Sequence, residues 1–174
     1  MPPKRSAEGS PTGGKKAKTT KPASPQRNAE GKGFYLLKRQ IDVLPISRFK
    51  KAPNKTLPIT NIRSAQARKT IRSMQEGDEV LFYSCNNLRT KAKVDAGVYG
   101  RCTVVRAPYP DPADDKWLSF DLRLDEAFDE PVLLSAMKEH QLDGLQAMSL
   151  FVQSPMLSVH HVSPEHFAFI LEEV

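Results

Sequence analysis

Apolar residues along this chain fall into short, bounded groups that begin abruptly at Phe34. Phe34-Tyr35-Leu36-Leu37 is a continuous apolar run, which predicts a short strand buried on both faces. A short helical turn is expected over 45–51 after Pro45, and Pro53 and Pro58 keep the next stretch extended or irregular. A helix is predicted over 62–74, where Ala67, Ile71 and Met74 share one face and Arg68, Lys69 and Arg72 the opposite one. Arg63 falls beside the apolar face, so its head group must reach a polar partner or enter a cavity.

Gly77-Asp78 predicts a turn into a central strand, Val80-Leu81-Phe82-Tyr83. Two alternating strands follow. Over 98–105, Val98, Cys102 and Val104 share a face, with Tyr99 opposite; over 117–124, Leu118, Phe120, Leu122 and Leu124 do, which leaves Trp117 on the polar side. Between these strands, the alternating prolines of Ala107-Pro108-Tyr109-Pro110-Asp111-Pro112 predict an unpaired loop. One or two short helices are expected in 133–148 around Leu134, Met137, Leu142, Leu145 and Met148, then a strand at 157–162. Ser163 as N-cap and Pro164 at the first helical position open a terminal helix, with Phe167, Ile170, Leu171 and Val174 on one stripe. This interleaving predicts an α+β fold, a mixed curved sheet forming a partly open barrel flanked by short helices.

Charge changes the picture at one end only. The formal net charge of +6 lies entirely in residues 1–33, where eight Lys/Arg face Glu8 and Glu30. That segment has no aromatic residue and almost nothing large and apolar, so a disordered basic tail is expected ahead of one domain over 34–174. Its clusters Lys4-Arg5 and Lys15-Lys16-Ala17-Lys18 resemble a bipartite nuclear localisation signal, which implies an import receptor as partner and a nuclear location.

The remaining chemistry is sparse. No apolar run approaches a membrane span, and no signal-peptide apolar region stands at the N-terminus, so a soluble protein that is not membrane-bound is expected. Cys85 and Cys102 suggest neither a disulfide framework nor a zinc pair. No nucleophile elbow or phosphate loop is present; His160 and His161 are strand neighbours that point to opposite faces, and Asp111, Asp114 and Asp115 lack calcium-loop spacing. A monomeric binding protein without cofactor is expected rather than an enzyme.

Four stretches together resemble the EVE domain, a PUA-like family that includes the thymocyte nuclear proteins. They are Gly77-Asp78-Glu79-Val80-Leu81-Phe82-Tyr83, the 107–112 proline run followed by Trp117, Leu157-Ser158-Val159, and Val162-Ser163-Pro164-Glu165. The resemblance implies a pocket for a flipped, modified base such as methylated or hydroxymethylated cytosine, in DNA slightly more than in RNA. Where the family has Lys-Ser-Glu-Pro this chain has Lys38-Arg39-Gln40-Ile41, and Ile59 replaces a Trp ahead of Ile62-Arg63-Ser64-Ala65-Gln66-Ala67. Where the family has Phe-Tyr-His-Ser-Asn this chain has Phe82-Tyr83-Ser84-Cys85-Asn86, and His160 lies in the run that is Ser-Val-Gln-Pro-Val elsewhere. The implied pocket candidates are therefore Lys38, Gln40, Ile59, Arg63, Ser64, Gln66, Ser84, Cys85, Asn86, Trp117, Ser158 and His160. Asn86 offers a planar donor and acceptor for a base edge, Trp117 or Tyr99 a substitute stacking face, and Arg89, Lys91 and Lys93 contacts to phosphate. The competing reading is a divergent scaffold that binds protein partners or modified RNA and contacts nucleic acid non-specifically through its tail.

Overall fold

The computed structural model describes residues 26–174. The four-residue apolar run does form a strand, β1 (Phe34–Gln40), and it lies inside a sheet with apolar cores on both faces. β3 (Glu79–Cys85) runs parallel beside it, with Phe34 opposite Glu79 and Arg39 opposite Ser84. The six-stranded sheet has the order β2-β5-β4-β3-β1-β6, with β2 (Thr56–Ile59), β4 (Gly97–Asp111), β5 (Asp114–Leu133) and β6 (Val159–His161) joined antiparallel. Pro58 is tolerated because β2 is an edge strand. The sheet is mixed and open between β2 and β6.

On one face, Tyr35, Leu37, Val80, Phe82, Phe120 and Leu122 pack against α1 (Ile46–Lys51) and α2 (Ala65–Arg72) through Phe49, Ala67 and Ile71. On the other, Phe34, Leu36, Leu81 and Tyr83 pack against Met137 of α3 (Leu134–Glu139) and Phe167 and Ile170 of α5 (Pro164–Glu172). Leu145 and Met148 enter this second core from turns ahead of α4 (Ser149–Val152), whereas Leu142 is exposed, so the expected apolar set of 133–148 is only partly inward. Ser163 caps α5 as expected, accepting from the His166 N–H.

Three expectations are corrected. The proline run is not a free loop: Tyr109 pairs with Ser119, Pro110 with Leu118 and Asp111 with Asp114, and the chain reverses only at Pro112-Ala113. Register shifts between 104 and 111 let the prolines occupy a ladder they would break if it were regular. Val98 does not share a face with Cys102 and Val104. A bulge at Val98–Gly100 turns it into the second core, and a Cβ at Gly100 would stand 2.5 Å from the Glu126 carbonyl oxygen. Finally, contacts with the domain are made ahead of Phe34: Arg27 and Gly33 form a bridge, and Arg27 pairs with buried Asp78 at 2.8 Å.

Candidate functional site

The parallel pair β1 and β3 ends, at its C-terminal side, beneath the loop 60–64 that leads into α2. Alternation along β1 puts Tyr35, Leu37 and Arg39 on the face toward α1 and α2. Arg39 thus continues an apolar row with a guanidinium. Its Nη2 donates to the Thr60 carbonyl at 3.3 Å, while its buried Nε has no partner among the described residues. Burial lowers the Arg39 pKa from its ordinary value, but the group stays charged. Ser84, directly across on β3, is 1% exposed, and its hydroxyl also lacks a partner.

The other side of loop 60–64 is held by the tip of the β4–β5 hairpin. Asn61 adopts a left-handed conformation (φ 61) and donates its N–H to the Asp111 carboxylate at 3.0 Å; Ala113 N–H and Arg63 Nη1 donate to the same group at 2.9 and 3.1 Å. The Asn61 and Ala113 amides, then Arg63, hold Asp111 well below the usual carboxylate range. Arg63 therefore finds the polar partner its helical position demanded. Ser64 accepts from the Ala67 N–H at 3.3 Å, so its side chain is the N-cap of α2.

Beside this network stands Trp117, half-buried on β5. The Arg63, Arg68 and Lys116 head groups lie 5.9, 5.4 and 5.4 Å from its ring, within cation–π range. Arg68 is anchored by donating to the Lys116 carbonyl at 2.9 Å. Lys69 and Arg72 on α2 are exposed. The result is an aromatic ridge edged with positive charge, suited to a stacked base and a phosphate backbone.

The remaining expected site residues scatter. Ile59 is sealed in the core, 1% exposed, as is His160 at 1%. His160 accepts or donates at Nδ1 with Ser149 Oγ at 2.8 Å and reaches the Leu157 carbonyl through Nε2 at 3.0 Å. Lys38 donates to the Pro155 carbonyl and lies 6.0 Å from the Tyr83 ring, on the opposite face from Arg39; the Ser158 carbonyl accepts from the Lys38 N–H. Gln40 is exposed at the end of β1, Gln66 is tied to Gln153 at 2.8 Å, and Cys85 lies half-buried against the Arg39 carbonyl. Asn86 is exposed and spends its Oδ1 on the Val94 N–H at 2.7 Å, which leaves its Nδ2 donor.

Arg89, Lys91 and Lys93 are exposed on the loop after β3. A link from buried Asn87 to exposed Asp42, at 2.9 and 3.0 Å, steadies that loop. The candidates Lys4, Arg5, Lys15, Lys16 and Lys18 lie outside the described residues. Sequence patterning overlooked Arg39, Arg68, Lys116 and Asp111; for Arg39 the signal was present, since it shares strand parity with Tyr35 and Leu37.

A cleft of about 730 Å³ lies elsewhere, between β4, β5 and α5. Glu126, Asp129, Glu130 and Glu172 are among its walls, which makes it a poor host for phosphate. Among the described residues no helix is long and apolar enough to cross a membrane, and no group of three or more His, Cys, Asp or Glu is placed to hold a metal.

Comparison with known proteins places this arrangement in a family. Thymocyte nuclear protein 1 of Gallus gallus is 28% identical over 158 residues, 78% of this chain and 62% of that protein, so the chain spans less than two thirds of its length. The Homo sapiens protein of that name is 26% identical over 158 residues, 78% and 67% of the two chains. Among solved structures, a hypothetical protein from Leishmania major superposes with a TM-score of 0.71 at 31% identity, over 82% of this chain and 94% of that one. Human THYN1, solved in complex with 5-methylcytosine containing DNA, superposes with a TM-score of 0.68 at 23% identity over 82% and 98%, a likeness of fold. The family model of the EVE domain matches residues 33–173, and the chain belongs to that family, with its PUA-like mixed sheet.

Proposed function

We propose that this chain is a nuclear nucleic-acid-binding protein that takes a modified base from DNA at the loop 60–64 end of its sheet. The observation that carries this reading is the ridge of Trp117, Arg63, Arg68 and Lys116. It borders the same loop that Arg39 touches from the β1 side, so a strand lying on the ridge can present one extruded base toward Arg39 and Ser84. The human relative solved with methylated DNA supports DNA as the ligand. The curated relatives' name supports a nuclear setting, and the Lys4-Arg5 and Lys15–Lys18 clusters would recruit an import receptor.

Binding and not catalysis is the role this arrangement suits. Cys102 is buried and its thiol pushed far up by that burial, and His160, at about 4, is locked to Ser149 and Leu157. Neither is available as nucleophile or base.

The test is a titration of full-length protein with duplexes that differ by one cytosine modification, at a single salt concentration. At least one modified duplex should bind several-fold more tightly than the unmodified one, about 1 kcal/mol or more. Equal affinity across the panel would favour a scaffold that touches nucleic acid only through charge.

A further inference from the structure

Arg39 and Ser84 are anomalous in a way the base-reading role alone does not explain. A guanidinium taken partly out of water normally acquires a carboxylate, because otherwise its desolvation is not offset. Among the described residues no Asp or Glu pairs with Arg39; Arg68, whose buried Nε also lacks a hydrogen-bond partner, has the Trp117 ring 5.4 Å away instead. Within the described residues the one hydrogen bond from the Arg39 head group goes to the Thr60 carbonyl, and its Nε is buried without a partner there. Ser84 adds a second unpartnered donor on the adjacent strand, at the same register.

Resting on the base-reading role proposed above, we infer that this chain prefers a base carrying an anionic oxygen substituent, a carboxylate at the 5-position of cytosine, over one carrying a methyl group. A carboxylate matches the planar fork of Arg39 Nε and Nη, and a free oxygen lone pair can accept from Ser84. A methyl group would leave both donors unpaired, and a hydroxymethyl group can satisfy one of them without neutralising the charge. The same oxyanion chemistry occurs in every backbone phosphate, so the test separates the two sources.

Full-length protein is titrated with duplexes of one sequence bearing cytosine, 5-methylcytosine, 5-hydroxymethylcytosine or 5-carboxylcytosine at one site, at fixed salt. The carboxylated duplex is expected to bind about tenfold more tightly than the methylated one. Arg39→Gln should abolish that preference, so that the carboxylated and methylated duplexes bind the variant alike. Ser84→Ala should reduce the preference a few-fold; because its hydroxyl has no partner among the described residues, this variant keeps its melting temperature and serves if Arg39→Gln fails to fold.

A parent protein that prefers the methyl or hydroxymethyl duplex overturns the inference and leaves the base-reading role standing. A parent that binds all four alike overturns both. Loss of affinity in Arg39→Gln by the same factor on every duplex assigns the guanidinium to a phosphate and overturns the carboxylate preference.

Discussion

The two ends of the parallel pair β1–β3 carry comparable polar groups and treat them differently. At the N-terminal end the buried Asp78 carboxylate accepts from the Gly33 and Gln75 amides and from both Nη groups of Arg27, and Arg27 also donates to the Ser73 carbonyl. At the C-terminal end Arg39 Nε and Ser84 Oγ have no partner among the described residues, and across loop 60–64 from Arg39 Trp117 gathers three cations. Complete pairing is what a structural joint requires, because each buried group left unpaired costs stability. If, as proposed above, a ligand completes the unpaired end, mutations at the two ends should separate folding from binding.

The largest effect is expected at the closed end. Asp78→Ala strands two amides and the Arg27 guanidinium, and should lower unfolding stability by about 3–5 kcal/mol in a denaturant titration. Binding per folded molecule should stay the same. Truncation sharpens this point: a chain starting at Gly33 loses Arg27 and should melt lower than one starting at Gln26, which keeps it. If the two truncations melt alike, the Arg27–Asp78 joint does not secure this end.

The next effect comes from His160. Burial brings its imidazole down to about 4 in the folded chain, against about 6.5 when unfolded, and His161 is lowered with the same cause. Between those pH values the unfolded state takes up protons that the folded state refuses. Stability therefore falls as pH drops from 6.5 toward 4, by on the order of 3 kcal/mol for His160. Asp111 works at lower pH: its depressed pKa gives stability that is lost only below about pH 4. Stability measured against pH should show the two stages, and His160→Gln should flatten the first while leaving the second. A single stage, unchanged by His160→Gln, would contradict the sealed position of that ring.

How much of this could be read from the chain depended on how local the deciding physics was. β1, β3 and α5 were legible because an apolar run, a Gly-Asp turn and a Ser-Pro cap act over a few neighbouring residues. The bulge at Val98–Gly100 was not, since it depends on the close approach of the Glu126 carbonyl from a distant strand. Nor was pairing of the proline run, which requires β5 to bend with it. At the site, Arg63 announced its need for a partner by falling beside an apolar helix face, but nothing local identified Asp111. Arg39 was legible from strand parity with Tyr35 and Leu37, and was passed over because a charged residue after an apolar run is usually the strand's solvated end.

The central claim is that the open end, and not the basic N-terminus alone, engages nucleic acid. The most direct measurement compares Trp117→Ala with the parent on one modified duplex and its unmodified counterpart at fixed salt, with melting temperatures taken in parallel. Loss of a base–aromatic stack should weaken binding by about 1–3 kcal/mol with little change in melting temperature. Affinities equal to the parent's on both duplexes, in a variant that folds normally, would contradict the account and move binding to another surface of the molecule.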